Sequence, residues 1–254
     1  MMRVCAVSFS PIPGRIEENI SRIVEIVTQE RAHDFILFPE LSDTGYTLQA
    51  DQVKPYCRQT VFAPLQDILS GSNTVVSLGL AEHLNGGIYN TIFEISATSI
   101  VPRYRKTHLF PGEERLFRQG DFISLYSSAS AVYGYHLCYD IRYPELTRTL
   151  FSYSGDILFV SAAWPAKRID HWRSLLVARA IENQVYVVAA NQNGVLQNYH
   201  FGGQSMILSP RGEILQESSE NTECVRACLS LSLLREYRRE FPLRSSRCND
   251  ISFL

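Results

Sequence analysis

The chain has 254 residues, 45% of them hydrophobic, with 24 basic and 26 acidic side chains and a net charge of −2. That length can bury one large core, and the lack of a basic stripe argues against a nucleic-acid surface. No run approaches the ~20 apolar residues a membrane span needs, and the opening MMRVCAVSFS is too short an apolar run for a signal peptide.

In chain order, residues 3–9 read as a strand, and Pro11, Pro13 and Gly14 as a turn. Ile16, Ile20, Ile23, Val24 and Val27 have helical spacing, so a helix is expected over 15–31. The apolar run 35–38 is a buried strand that stops at Pro39–Glu40. A helix near 61–69 precedes strands 74–80 and 88–95, which Asn85-Gly86-Gly87 joins as a hairpin. A strand over 99–104 leads into a long loop, 105–120.

Strand 132–137 runs directly into Cys138. Helix 145–153, strand 156–160, helix 170–183 and strand 185–190 follow. Strands 204–208, 214–216 and 224–229, with a turn at Ser209-Pro210-Arg211-Gly212, precede a short helix and a polar tail from about 240. Strands and helices alternate, and several strands are apolar on both faces. The pattern predicts an α/β fold of about a dozen strands, in two sheets packed face to face with helices outside. No linker divides the chain, so one domain over 1–254 is expected.

The six cysteines, Cys5, Cys57, Cys138, Cys224, Cys228 and Cys248, form no C-x-x-C pair and no four-ligand metal set. Reduced thiols in a cytoplasmic protein are the simplest reading. Cys224 and Cys228 are four apart on one strand, face the same way and are too far apart for a comfortable disulfide.

Chemistry concentrates in GYHLCYDIRYPEL, residues 134–146, where an apolar run breaks at a cysteine into charges and a proline. A strand end just before a helix sits at the mouth of an α/β sheet. Backbone N–H groups there hold anions and favour a thiolate. Cys138 is therefore either a nucleophile, with the Tyr139 N–H in an oxyanion hole, or a space-filling buried thiol. His136 lies on the same strand face, but its reach to the sulfur is poor. His33, His83, His108, His171 and His200 have no context that marks a base.

Two other side chains also follow strand ends. Glu40 comes after FILF, where partial desolvation would raise its pKa toward useful proton transfer. The alternative is a surface glutamate. Lys106, in VPRYRKTHLF, would stabilise an oxyanion and hold Cys138 as thiolate, or else belong to a solvated run with Arg103 and Arg105.

FPE at 38–40, YRKTHLF at 104–110 and HLCYDIRYPEL at 136–146 resemble, in order and spacing, the three motif blocks of the nitrilase superfamily of carbon–nitrogen hydrolases. The segment 162–194 is similar as well, so the resemblance covers nearly the whole chain. It implies a four-layer α-β-β-α sandwich and a Glu–Lys–Cys triad of Glu40, Lys106 and Cys138. A second glutamate falls in EERLFRQG, with Glu113 favoured over Glu114 by its spacing to Gly120. The resemblance also implies a homodimer or larger homo-oligomer, packed through helices like 142–153 and 170–183 and the C-terminal tail.

Within the superfamily the chain is most similar to the ω-amidase and Nit-like branch. That implies a small-molecule amide substrate, a thioester intermediate, and neither metal nor organic cofactor. Arg142 would pair with a substrate carboxylate, or with a carboxylate of its own chain. Trp164 either lines the pocket or packs in the core, and Tyr46 is a further pocket candidate. An N-carbamoyl amidohydrolase, a deaminated glutathione amidase and a nitrilase would use the same triad. A non-catalytic interaction subunit would not need one, and a thiol redox or protease-like enzyme would need a histidine or resolving cysteine beside Cys138.

Overall fold

The computed structural model describes residues 1–53, 58–123, 125–128, 130–196, 199–219 and 222–246. Cys57, Cys248 and the end of the expected tail lie outside the described residues. The first part of the chain builds β1 (Met2–Val7), α1 (Ile16–Glu30), β2 (Phe35–Leu37), α2 (Arg58–Leu69), β3 (Val75–Leu84), β4 (Gly87–Ile95) and β5 (Ile100–Arg105). The rest adds β6 (Leu125–Ser127), β7 (Val132–Leu137), α3 (Pro144–Ser152), β8 (Ile157–Ala162), α4 (Ile169–Asn183) and β9 (Tyr186–Asn191). After these come the hairpin β10 (Asn193–Leu196) and β11 (Tyr199–Gly202), then β12 (Met206–Leu208), β13 (Ile214–Glu217), β14 (Cys224–Leu229) and α5 (Leu231–Glu240).

Two six-stranded sheets result, ordered β14-β1-β2-β3-β4-β5 and β13-β12-β9-β8-β7-β6. Strand alternation explains how they stack. In β1, Val4 and Ala6 face the opposite sheet while Cys5 and Val7 face helices α1 and α2. In β8, Ile157 and Phe159 join the layer between the sheets, and Leu158 and Val160 pack on α4. Each central strand is thus buried on both sides, and the order of layers is helix, sheet, sheet, helix. This is the expected sandwich. No helix among the described residues is long and apolar enough to cross a membrane.

The hairpin between β3 and β4 forms where the Asn-Gly pair requires it, with Asn85 at φ 49° and Gly86 at φ 71°. Other expectations need correction. The first strand ends at Val7 rather than residue 9, and Phe9 instead bridges to Gln192 of the other sheet. Residues 105–120 are not all loop, because Glu113–Arg115 forms a 3-10 turn. Strands β6, β10 and β11 escape the sequence pattern, for they are three or four residues long and carry little apolar alternation.

The two sheets are stitched at the end where β2, β7 and β8 finish. Ser161 Oγ donates to the Phe38 carbonyl at 2.8 Å, and Gln192 Nε2 donates to the Glu40 carbonyl at 2.7 Å. Both bonds cross between sheets, so the chain leaving β2 is fixed against the ends of β8 and β9.

Candidate active site

Glu40, Lys106 and Cys138 leave β2, β5 and β7 at this end of the sandwich. Glu40 is fully buried, and the residue after it, Leu41, takes φ 48°, a left-handed conformation that turns the chain sharply away. One carboxylate oxygen, Oε1, accepts from Lys106 Nζ at 2.7 Å and from Asn90 Nδ2 at 2.6 Å. The other accepts from the Ala163 N–H at 2.9 Å.

Lys106 is fully buried as well, and its N–H donates to the Asn90 carbonyl at 2.9 Å. Its ammonium also donates to Glu113 Oε1 at 2.8 Å, so two carboxylates share it. Burial works against the charge, but Glu40 and Glu113 outweigh it and hold the ammonium well above the usual lysine range. Glu113 opens the 3-10 turn behind Gly112, accepts from Tyr46 Oη at 2.9 Å, and receives the Phe110 N–H at 2.9 Å. Burial pushes its carboxyl up, and Lys106 pulls against that. Glu114, the other sequence candidate, points to solvent and bonds the Gly112 N–H.

Cys138 is the first residue of a 3-10 turn, Cys138–Arg142, and takes φ 46°. A β-carbon in that region is uncommon and strained, and such geometry occurs where a side chain must be aimed. The N–H of Tyr139 belongs to the first turn, whose N–H groups have no partner within the turn. The sulfur is within the electrostatic reach of Glu40, Lys106 and Glu113, and the Ala163 N–H also reaches it.

The strand end's preference for a thiolate meets opposing influences here. Burial and then Glu40 push the thiol well above its ordinary range, and Lys106 and the Ala163 N–H only partly offset them. Carboxylates and burial oppose the cations and backbone N–H groups that favour a thiolate.

Cys138 and Glu113 lie against a cavity of about 110 Å³, walled by Tyr46, Phe110, Tyr139, Trp164, Tyr199 and Phe201. Arg142 also borders it, with its guanidinium 4.6 Å from the Trp164 ring and 5.9 Å from that of Tyr139. Among the described residues it has no carboxylate partner, so the internal ion pair considered from the sequence is not formed. Trp164 fits both sequence readings: it lines the cavity and packs on Trp172 with ring centroids 5.6 Å apart. Burial and then Glu113 raise the Tyr46 hydroxyl, which stays a hydrogen-bond donor.

His136 is not in the site. Its ring bonds the Tyr135 carbonyl at 2.6 Å and Thr147 Oγ1 at 2.9 Å, and so ties β7 to α3.

Sequence reading missed Asn90, Ala163 and Asp140. Asp140 is the knot between the nucleophile turn and the lysine segment. It accepts from Tyr104 Oη at 2.8 Å, Thr107 Oγ1 at 3.0 Å, the His108 N–H at 2.8 Å and the Leu137 N–H at 3.2 Å. The available signal for Asn90 is an amide inside the apolar strand GIYNTIFEI. Ala163 acts through its backbone, which no side-chain pattern reveals.

A sequence model of the carbon–nitrogen hydrolase family matches residues 3–239. The 2-oxoglutaramate amidase of Bacillus subtilis is 34% identical over 251 residues, covering 91% of each chain. The ω-amidase YafV of Escherichia coli K12 is 31% identical over 220 residues, covering 82% of each. Among solved structures, XC1258 of Xanthomonas campestris, a CN-hydrolase superfamily protein with an arsenic adduct in its active site, superposes with a TM-score of 0.89. It is 23% identical, over 99% of each chain. Nit3 of Saccharomyces cerevisiae, a nitrilase superfamily member, gives a TM-score of 0.83 at 23% identity, over 96% of this chain and 95% of that one.

Proposed function

The chain belongs to the carbon–nitrogen hydrolase family, a hydrolase acting on the carbon–nitrogen bonds of linear amides, and on that premise we propose that it is a cysteine-dependent ω-amidase. It converts a small amide such as 2-oxoglutaramate to the acid and ammonia through a thioester on Cys138.

Glu40 takes the thiol proton as the sulfur attacks the amide carbon, which suits a thiol that burial and Glu40 itself keep protonated at rest. Lys106 and the Tyr139 N–H stabilise the oxyanion. Collapse expels the amine, and Glu40 returns its proton so that ammonia leaves. Water then enters, Glu40 takes its proton, and Glu113, anchored by Tyr46 and Lys106, orients it for attack on the thioester. Protonation of the departing sulfur restores the enzyme. Every proton and charge is handled by side chains and backbone donors, with no metal or organic cofactor in the scheme. Arg142 stands at the cavity wall against the Trp164 ring, and Trp164 and Tyr46 form walls of the substrate site.

One observation carries this reading: a buried ammonium shared by two buried carboxylates, beside a cysteine in a left-handed turn at a cavity. The test is ammonia release from 2-oxoglutaramate by the native protein and by Cys138→Ala, with mass spectrometry of the quenched enzyme for the acyl adduct. Residual turnover by Cys138→Ala would overturn it. As finer readings, the enzyme works in the cytoplasm, consistent with free thiols at Cys5, Cys138, Cys224 and Cys228. It also works as a dimer packed through α3, α4 and the C-terminal tail. A sedimentation mass of one chain would remove the dimer.

A further inference from the structure

We propose that Arg168 is a specificity residue that grips the carboxylate an ω-amide substrate carries at the end remote from the scissile amide. The inference rests on the amidase reading above.

Arg168 ends the 3-10 turn Ala166–Arg168, between β8 and α4. Its backbone is pinned on both sides. Its N–H donates to the Pro165 carbonyl at 3.0 Å, and its own carbonyl accepts from Trp164 Nε1 at 2.7 Å. The tryptophan that walls the cavity therefore also fixes where this side chain starts. The guanidinium lies 5.8 Å from the Phe110 ring, and the Phe110 N–H in turn holds Glu113.

Charge decides the sign of the ligand. Among the described residues Glu113 is the one acidic side chain against the cavity, and Lys106 already pairs with it. Arg142, Lys167 and Arg168 border the same space. The chain as a whole is net −2, so this cationic cluster is local. Arg142 is engaged by the Trp164 and Tyr139 rings and stands 3.5 Å from His171 Nδ1. Arg168 has the Phe110 ring alone, and among the described residues no carboxylate pairs with it. Its planar fork is thus free to take a carboxylate with two parallel hydrogen bonds. A cavity of about 110 Å³, with the sulfur and the guanidinium both on its wall, suits a short acid with one amidated end.

The test compares native enzyme, Arg168→Met and Arg168→Lys on glutaramate and on butyramide, which lacks the carboxylate. Losing a charge-assisted pair should lower the glutaramate-to-butyramide ratio of kcat/KM by about tenfold or more in Arg168→Met, chiefly through KM. Arg168→Lys should recover part of the loss. A ratio within about twofold of native in Arg168→Met would overturn the proposal. Calorimetric binding of glutarate, which needs no turnover, keeps the two readings apart. Weaker glutarate binding by Arg168→Met supports the clamp even if no amide is hydrolysed, and equal binding sinks it even if the amidase reading stands.

Discussion

Gly79 of β3 passes directly beneath Glu40: a β-carbon on it would lie 2.8 Å from Glu40 Cα and 2.7 Å from the Pro39 carbonyl oxygen. Both neighbours are backbone, which cannot swing aside as a long side chain can. Gly79→Ala should therefore lift the turn that carries the carboxylate, at an overpacking cost of about 1–3 kcal/mol. The expected outcome is a chain that still folds but loses at least about tenfold in kcat, since misplacement by a fraction of an ångström is costly in a catalytic site. Kinetics beside a thermal melt check it, and unaltered kcat would show that the turn tolerates the shift.

Asn90 holds the same carboxylate from the side, and it is fully buried, with no partner for Oδ1 among the described residues. A hydrogen bond to a charged group contributes about 1.5–3 kcal/mol. Asn90→Ala should lower kcat by about tenfold to a hundredfold and leave KM nearly as it was, because the amide touches the base and not the cavity. Asn90→Asp should be worse, placing a third carboxylate around Lys106. A change confined to KM would assign Asn90 to substrate binding instead.

The strand positions, the pair of sheets and the three strand-end side chains were legible because periodicity and motif residues are local. The buried runs at 35–38 and 132–137 marked strand ends, and a reactive side chain directly after such a run lies at the mouth of the sheet. What supports those side chains was not legible. Asn90 reads as one polar residue in a strand, Asp140 as part of a charged turn, and Ala163 contributes only an N–H. The thiol's protonation depended on how many carboxylates meet at one point. That is a property of three-dimensional packing, which a linear sequence does not display. The hairpin β10–β11, whose Phe201 walls the cavity, is too short and too polar to announce itself.

The raised Cys138 thiol makes a prediction with an unusual sign. Glu40 is among the groups that push it up, second only to burial. Glu40→Gln should abolish turnover by several orders of magnitude and at the same time lower the thiol pKa. Alkylation by iodoacetamide, followed against pH, should then shift toward lower pH in the variant. In Lys106→Met the shift should go the other way, because the ammonium favours the thiolate. An upward shift in Glu40→Gln would mean that the carboxylate favours the thiolate, and the sign argued here would be wrong.

His136 supplies a stability prediction away from the chemistry. Burial lowers its pKa from 6.5 to about 4, and the ring is held neutral between the Tyr135 carbonyl and Thr147. Its folded-state pKa lies below the unfolded value, so between about pH 6.5 and 4 the unfolded chain binds a proton that the folded chain refuses. Stability from this group is therefore complete above pH 6.5 and declines as the pH falls through that window. At about 1.4 kcal/mol per pKa unit the whole loss is about 3 kcal/mol. His136→Gln keeps a donor and an acceptor but cannot titrate, so its urea midpoint should fall less between pH 7 and pH 4.5 than that of the native chain. Asp140 and His108 act on the His136 charge, so the comparison reads the imidazole together with its effect on these neighbours. Equal declines in the two would show that the imidazole is not the group on which the acid sensitivity of the β7–α3 junction depends.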